Sequence, residues 1–407
     1  MDLEFGKRVW QEAQELLASG RDANQSAKIL FDNDPEGVNY GIGIILDGEG
    51  KPVPSSQTVT DYVRAELETC DVGTYMNSAK LMETVKENVL RWQQIPEAYL
   101  SSFKLALPSD AGTGAVKSAV ELALLLNPAL NTLGIESLGW PAHKTIAKVA
   151  RVAVQEFPED GVIAGDGVLP LYQAGPMNTT GLVQTADTIQ ARAESAAKSG
   201  VPVVLDRAYS GFEFARLINK MSYDEIMQKS FELQLKPFIE AGVPFCAAIS
   251  PTKAFVTFAF RPCGFLLVYT PENKNEKEIT TALNSTIRAR GSSFEHPVTR
   301  AFAKAMTEDR ERLQNEHIGA LKRLEEAESL WRTLVQGTSI ESIFSERYAG
   351  LFRNPPAKED APTAVYGSHL YPVFSQGRCR LNATGLPVDE ELARKHVAVF
   401  AEYCLGR

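Results

Sequence analysis

With 407 residues, 44% of them hydrophobic, the chain can bury a large core and divide into two or three domain-sized units. A formal net charge of −9 leaves no general basic surface, which argues against nucleic acid and anionic membrane as partners. The five cysteines are odd in number, widely spaced and without metal-type pairing, so neither a disulfide framework nor a metal site is expected. No apolar run reaches bilayer length, and the acidic start Met1-Asp-Leu-Glu-Phe lacks the basic-then-apolar pattern of a signal peptide. A cytoplasmic location is therefore expected.

The first thirty residues read as an exposed helix or arm anchored by Trp10. Residues 38–46, Val-Asn-Tyr-Gly-Ile-Gly-Ile-Ile-Leu, read as a strand closed by the turn cluster Asp47-Gly-Glu-Gly-Lys-Pro. Residues 54–92 form two helices around a loop, 70–77, that carries Tyr75. Next comes Leu107-Pro-Ser-Asp-Ala-Gly112-Thr113-Gly-Ala, leading into a helical pattern over 116–126. Small residues at a helix N-terminus suit an anion, because open amides and the positive dipole end meet there; a plain capped helix start explains the run as well. Trp140 and His143 follow in Trp140-Pro-Ala-His143-Lys, as a stacking plate and a polar partner or as ordinary core residues.

Residues 161–164 and 168–172 read as strands, followed by the turn Met177-Asn178-Thr-Thr-Gly and an alanine-rich helix over 186–199. The apolar run 201–205 ends in Asp206-Arg-Ala-Tyr209-Ser-Gly-Phe. Apolar strands alternating with amphipathic helices imply a mostly parallel sheet in an α/β domain, with Asp206 at a strand's carboxyl end. Ligands bind at such ends, although an aspartate there also caps turns.

Two short apolar runs, 243–249 and 265–269, flank Ser250-Pro-Thr-Lys253-Ala-Phe-Val-Thr-Phe-Ala-Phe-Arg261-Pro-Cys-Gly. An amine among apolar neighbours has its charged form disfavoured and is more readily a nucleophile toward an aldehyde. Ser250, Thr252 and Arg261 add the donors a phosphate wants, so the stretch suits a phosphorylated aldehyde, pyridoxal phosphate; a surface lysine beside a salt-bridged arginine is the plainer alternative. A helix over 276–290 ends in Arg288-Ala-Arg290, and one or two charge-dense helices fill 297–335. The tail holds a Pro-rich loop at Asn354-Pro-Pro-Ala, a strand over 370–374, Arg378-Cys-Arg380-Leu-Asn-Ala-Thr-Gly385, and a terminal helix reaching Cys404.

Taken together and in this order, these stretches resemble the class I aminotransferases of the fold-type I pyridoxal phosphate enzymes, in their aspartate and aromatic amino acid branch. The likeness runs from about residue 38 to 386. It implies a large α/β cofactor domain over 51–310, an N-terminal arm with part of a small domain over 1–50, and a small C-terminal domain over 311–407. By that resemblance Lys253 carries the cofactor and moves the proton. Asp206 pairs with the pyridine nitrogen, His143 stands behind Asp206, Tyr209 and Asn178 meet the ring oxygen, and Trp140 stacks on the ring. Gly112, Thr113, Ser250 and Arg261 hold the phosphate, joined by Tyr75 from a neighbouring subunit. Arg380 grips the substrate α-carboxylate, with Arg378 as its competitor; Arg288 reaches a distal carboxylate across a homodimer interface, with Arg290 as its competitor; Ile42 and Gly43 line the substrate side. The implied reaction passes an amino group from aspartate or an aromatic amino acid to 2-oxoglutarate, ping-pong through pyridoxamine phosphate. A decarboxylase or C–S lyase on the same scaffold, or a non-catalytic relative, are the alternatives. Thr179 where the family usually has proline, and Ala111 where it carries serine, are departures.

Overall fold

The structure, a computed structural model, describes residues 1–69, 78–261, 263–271, 276–291 and 296–406. The chain forms two compact units: a larger one of Pro54–Gly175 and Gln184–Gly319, and a smaller one of Met1–Val53, Pro176–Val183 and Ala320–Arg407.

A seven-stranded sheet organises the larger unit. In chain order its strands are β1 (Phe103–Ser109), β2 (Thr132–Glu136), β3 (Ala153–Phe157), β4 (Val168–Gln173), β5 (Val203–Arg207), β6 (Phe245–Ile249) and β7 (Gly264–Tyr269). Their spatial order is β1-β7-β6-β5-β4-β2-β3, and only β7 runs antiparallel to its neighbours. Every residue of β4, β5 and β6 is buried, as befits central strands covered on both faces. The edge strand β3 buries only Phe157. Pro108 sits in β1, at the opposite edge, where a missing N–H costs no ladder bond. Because the parallel strands all point one way, Glu136, Gln173, Asp206 and Ile249 end at a common rim, and the loops leaving it carry the polar residues of interest.

Several elements differ from the sequence expectation. The first thirty residues form two helices, Leu3–Ala18 and Ala23–Asp32, capped by the side chains of Asp2 and Asp22. The strand expected over 38–46 shrinks to Val38–Asn39, because the Asn39 side chain accepts from the amides of Gly41 and Ile42, both at 3.0 Å, and turns the backbone. Residues 161–164 form no strand: both edges of β4 are already taken by β2 and β5, and the Gly161 carbonyl accepts from Arg192 instead. Pro372 breaks the expected strand over 370–374 into Leu370–Tyr371 and Val373–Ser375. No helix among the described residues is long and apolar enough to cross a membrane.

The smaller unit packs its own core around Trp331, whose ring stacks on Phe344 with centroids 4.5 Å apart. Beside it the buried Arg353 guanidinium meets Glu328 at 2.5 Å and four backbone carbonyls, so the charge is paired and its donors are used.

Candidate active site

Three features of the larger unit meet at the rim of the sheet. The first is a cradle of backbone. Helix Ala111–Leu126 starts without a side-chain cap from Asp110, and Ala111, at φ 52°, donates its amide to the Arg261 carbonyl at 2.6 Å. A Cβ added at Gly112 would lie 2.8 Å from the Ser250 Cβ and 3.0 Å from its Oγ, and one added at Gly264 would lie 1.9 Å from the Ala111 oxygen. Glycine is thus required at both positions for the helix start, Ser250 and the segment 261–264 to come this close. Ser250 Oγ donates to Thr252 Oγ1 at 3.0 Å. Backbone amides at a helix start, two hydroxyls and the exposed Arg261 form an anion-holding set.

The second feature is a buried carboxylate. Asp206, at the end of β5, lies 2.9 Å by its Oδ2 from Nε2 of His143, and both are buried. The backbone around Asp206 is fixed, with Gln173 as its strand partner and its carbonyl accepting from the Ala174 amide at 2.8 Å. The Trp140 ring stands edge-on to His143, with centroids 5.4 Å apart. Next along the strand, Arg207 is fully buried and spends its donors on Gln93, Ser230 and the Ala174 carbonyl. Burial pulls its guanidinium down to about 10, against the pull of Glu213.

The third is the lysine. Lys253 lies in the short helix Pro251–Ala254, directly after β6, with its Nζ 4.7 Å from the Phe258 ring centroid and 5.8 Å from that of Tyr209. Tyr209 is in turn braced edge-on by Phe212 at 5.7 Å. Aromatic faces around an ammonium give it apolar company while satisfying part of its charge.

Residues 58–346 match the family described as aminotransferase class I and II. The chain belongs to that family. An aromatic-amino-acid aminotransferase from Paracoccus denitrificans is 25% identical over 193 residues, 43% of this chain; the match spans 47%, about half, of that relative. The solved aromatic-amino-acid aminotransferase from Burkholderia pseudomallei, covalently bound to pyridoxal phosphate, superposes with a TM-score of 0.76 at 18% identity, covering 94% of this chain and 96% of the other. The broad specificity aminotransferase from Leishmania mexicana gives 0.77 at 17% identity, covering 94% and 95%. The fold is the fold-type I α/β architecture of pyridoxal phosphate-dependent transaminases.

The aminotransferase cofactor, pyridoxal 5′-phosphate, fits these residues. Its phosphate suits the cradle that a Cβ at Gly112 would fill, its ring nitrogen a buried carboxylate, and its aldehyde an amine at the same rim. Of the residues expected from sequence, Gly112, Thr113, Trp140, His143, Asp206, Tyr209, Ser250, Lys253 and Arg261 all lie in the larger unit. Ile42, Gly43, Asn178 and Arg380 lie in the smaller one. Arg380 donates to Asn24 and the Gly41 carbonyl, whereas Arg378 directs both Nε and Nη2 at the Asn354 carbonyl. Arg288 is exposed on helix Glu276–Gly291, while Tyr75 and the side chain of Arg290 lie outside the described residues.

Sequence reasoning passed over Phe258, one of several phenylalanines after Lys253 and not distinguishable from core by pattern. It also passed over the buried network behind Trp140 and Asp206. There Glu136 accepts from Arg192 at 2.9 Å and from the Gln173 amide at 3.1 Å. Burial raises the Glu136 carboxyl above its ordinary value, with Arg192 opposing. The added Cβ of Gly139 would stand 3.2 Å from the Gln173 Nε2, so glycine immediately before Trp140 admits this network to the loop.

Proposed function

We propose that this aminotransferase moves the amino group of aspartate or an aromatic amino acid to 2-oxoglutarate in a ping-pong reaction, as a homodimer in the cytoplasm. The observation that carries the reading is the buried Asp206–His143 bond of 2.9 Å, in the same unit and at the same strand rim as Lys253. Pyridoxal phosphate, when bound, supplies an electron sink for the charge that develops at the substrate Cα.

Each residue then has a physical task. Lys253 would hold the cofactor and, as a free amine, would accept the proton that leaves the substrate Cα. Asp206 keeps a proton on the ring nitrogen, and His143 holds that carboxylate in place from behind. Tyr209 and Asn178 would serve the ring oxygen, and Trp140 a ring face. Gly112, Thr113, Ser250 and Arg261 take the phosphate, with Tyr75 contributed by a partner subunit. Arg380 takes the substrate α-carboxylate; the commitment of Arg378 to the Asn354 carbonyl supports that choice. Arg288, exposed on its helix, serves the distal carboxylate in a partner's site, and Ile42 and Gly43 border the substrate.

The test is a product assay. Aspartate, tyrosine or phenylalanine is supplied with 2-oxoglutarate, and glutamate and the matching 2-oxo acid are measured with wild type and with Lys253→Ala. Stoichiometric 2-oxo acid and glutamate from wild type, and neither from Lys253→Ala, is the expected result. An amine with carbon dioxide, or β-elimination products without glutamate, would instead establish the decarboxylase or lyase reading.

A further inference from the structure

Arg380 stands on strand Arg378–Asn382 of the smaller unit, and one of its nitrogens is fully engaged within that unit. Its Nη2 donates to Asn24 Oδ1 at 2.5 Å and to the Gly41 carbonyl at 3.0 Å. An Nη2 has two hydrogens, so both are directed by protein acceptors and the plane of the guanidinium is set. The Phe352 ring lies 4.2 Å from the guanidinium carbon and covers one face of it.

Asn24 belongs to helix Ala23–Asp32, near the chain's start and outside the matched stretch 58–346. That helix is a firm support. Its N-cap is a capping box between Asp22 and Gln25, so the Asn24 side chain is not needed for capping, and Ser26, Ala27 and Leu30 are buried. Both acceptors on Nη2 are neutral. An amide and a carbonyl orient the guanidinium without adding a carboxylate that would compete with a bound anion.

We propose that Asn24 is a positioning residue that holds Arg380 in the orientation in which it receives the substrate α-carboxylate, so that helix Ala23–Asp32 is part of the substrate-binding apparatus. The inference rests on the assignment of Arg380 above. Its test compares Asn24→Ala, Asn24→Asp and Arg380→Lys in the holoenzyme, reading KM and kcat for amino donor and 2-oxo acid, the Kd of a non-reacting carboxylate inhibitor, and the thermal midpoint. Asn24 is exposed, so its variants should fold with an unchanged midpoint. Asn24→Ala should raise both KM values and the inhibitor Kd about five- to tenfold, the loss of one charge-assisted hydrogen bond, with kcat changed less than twofold. Asn24→Asp should raise them further, and added salt should relieve part of that increase as it screens the new ion pair. Unchanged KM and Kd in both Asn24 variants, with a large rise in Arg380→Lys, would overturn the inference and leave the role of Arg380 standing. No rise in Arg380→Lys would remove the assignment of Arg380 itself, and the inference with it.

Discussion

A methyl group at Gly112 would stand 2.8 Å from the Ser250 Cβ, inside the distance real Cβ atoms keep, with the helix start on one side and β6 on the other. Gly112→Ala should therefore displace Ser250 or the helix start and weaken pyridoxal phosphate binding by at least about tenfold in a titration of the apoenzyme, the loss of one or two donors. Binding at wild-type affinity would show that this close approach does not build the phosphate site. Lys253 and Ser250 stood out as candidates in the sequence by their chemistry, and Gly112, Asp206 and Tyr209 through the resemblance of their motifs. Phe258, 4.7 Å from the lysine amine, did not, since phenylalanine is equally at home in any core. Nor could the sequence show that Arg378 donates to a backbone carbonyl while Arg380 meets a side chain from helix Ala23–Asp32.

Among the elements, the helix Arg310–Leu334 carries His317, fully buried within a cage of Trp92, Phe212, Tyr223 and Phe255 rings. Its Nδ1 lies 2.8 Å from the Tyr223 hydroxyl, which in turn accepts from Trp92 Nε1 at 3.1 Å. Burial pulls the imidazole down to about 3, so the folded protein keeps it neutral where the unfolded chain, with an ordinary value near 6.5, takes up a proton. Stability is therefore full above about pH 6.5 and falls as pH drops from there toward 3, by on the order of 5 kcal/mol from this group once protonation is complete. Urea midpoints between pH 7 and 4 should fall less steeply for His317→Gln than for wild type, and equal slopes would contradict the account. The buried pair of Glu136, at the end of β2, and Arg192, midway along helix Ala186–Ser199, makes a second prediction. Arg192→Met leaves Glu136 buried without its cation and should cost about 3–5 kcal/mol in chemical denaturation, with recovery in Arg192→Met/Glu136→Leu. A single variant as stable as wild type would contradict it. At this scale the helices over 186–199 and 276–290 were legible from periodicity, whereas β1, β2 and β3 were not. Pro108 disguises β1, and β3 at the sheet edge buries too little to leave an apolar run.

For the whole molecule, the resemblance carried by the order of motifs led to the expectation of a large α/β unit with a smaller one from both chain ends. The segment Pro176–Val183, which carries Asn178, clusters with the smaller unit although it lies between strands of the larger. No composition shift marks such an excursion, because membership is decided by long-range contacts such as the Gly181 carbonyl accepting from Ala349 at 2.8 Å. The proposed shared site yields a test that no single subunit can pass. Lys253→Ala and Arg288→Ala proteins, each inactive or impaired toward aspartate, should regain activity when refolded together, since a mixed dimer holds one site with both residues intact. Absence of any recovery, with mixed dimers demonstrated by mass, would place Arg288 outside its partner's site.

The central claim is that Lys253, backed by Asp206 and His143, runs amino-group transfer on pyridoxal phosphate. The visible absorption of the purified holoenzyme, recorded before and after adding aspartate, glutamate, tyrosine or phenylalanine without an acceptor, tests it most directly. The account predicts a visible cofactor band that the right amino acid converts to the pyridoxamine phosphate spectrum in a single half-reaction, restored by 2-oxoglutarate, with neither change in Lys253→Ala. A protein that reconstitutes no such band, or whose band amino acids leave untouched, would contradict it.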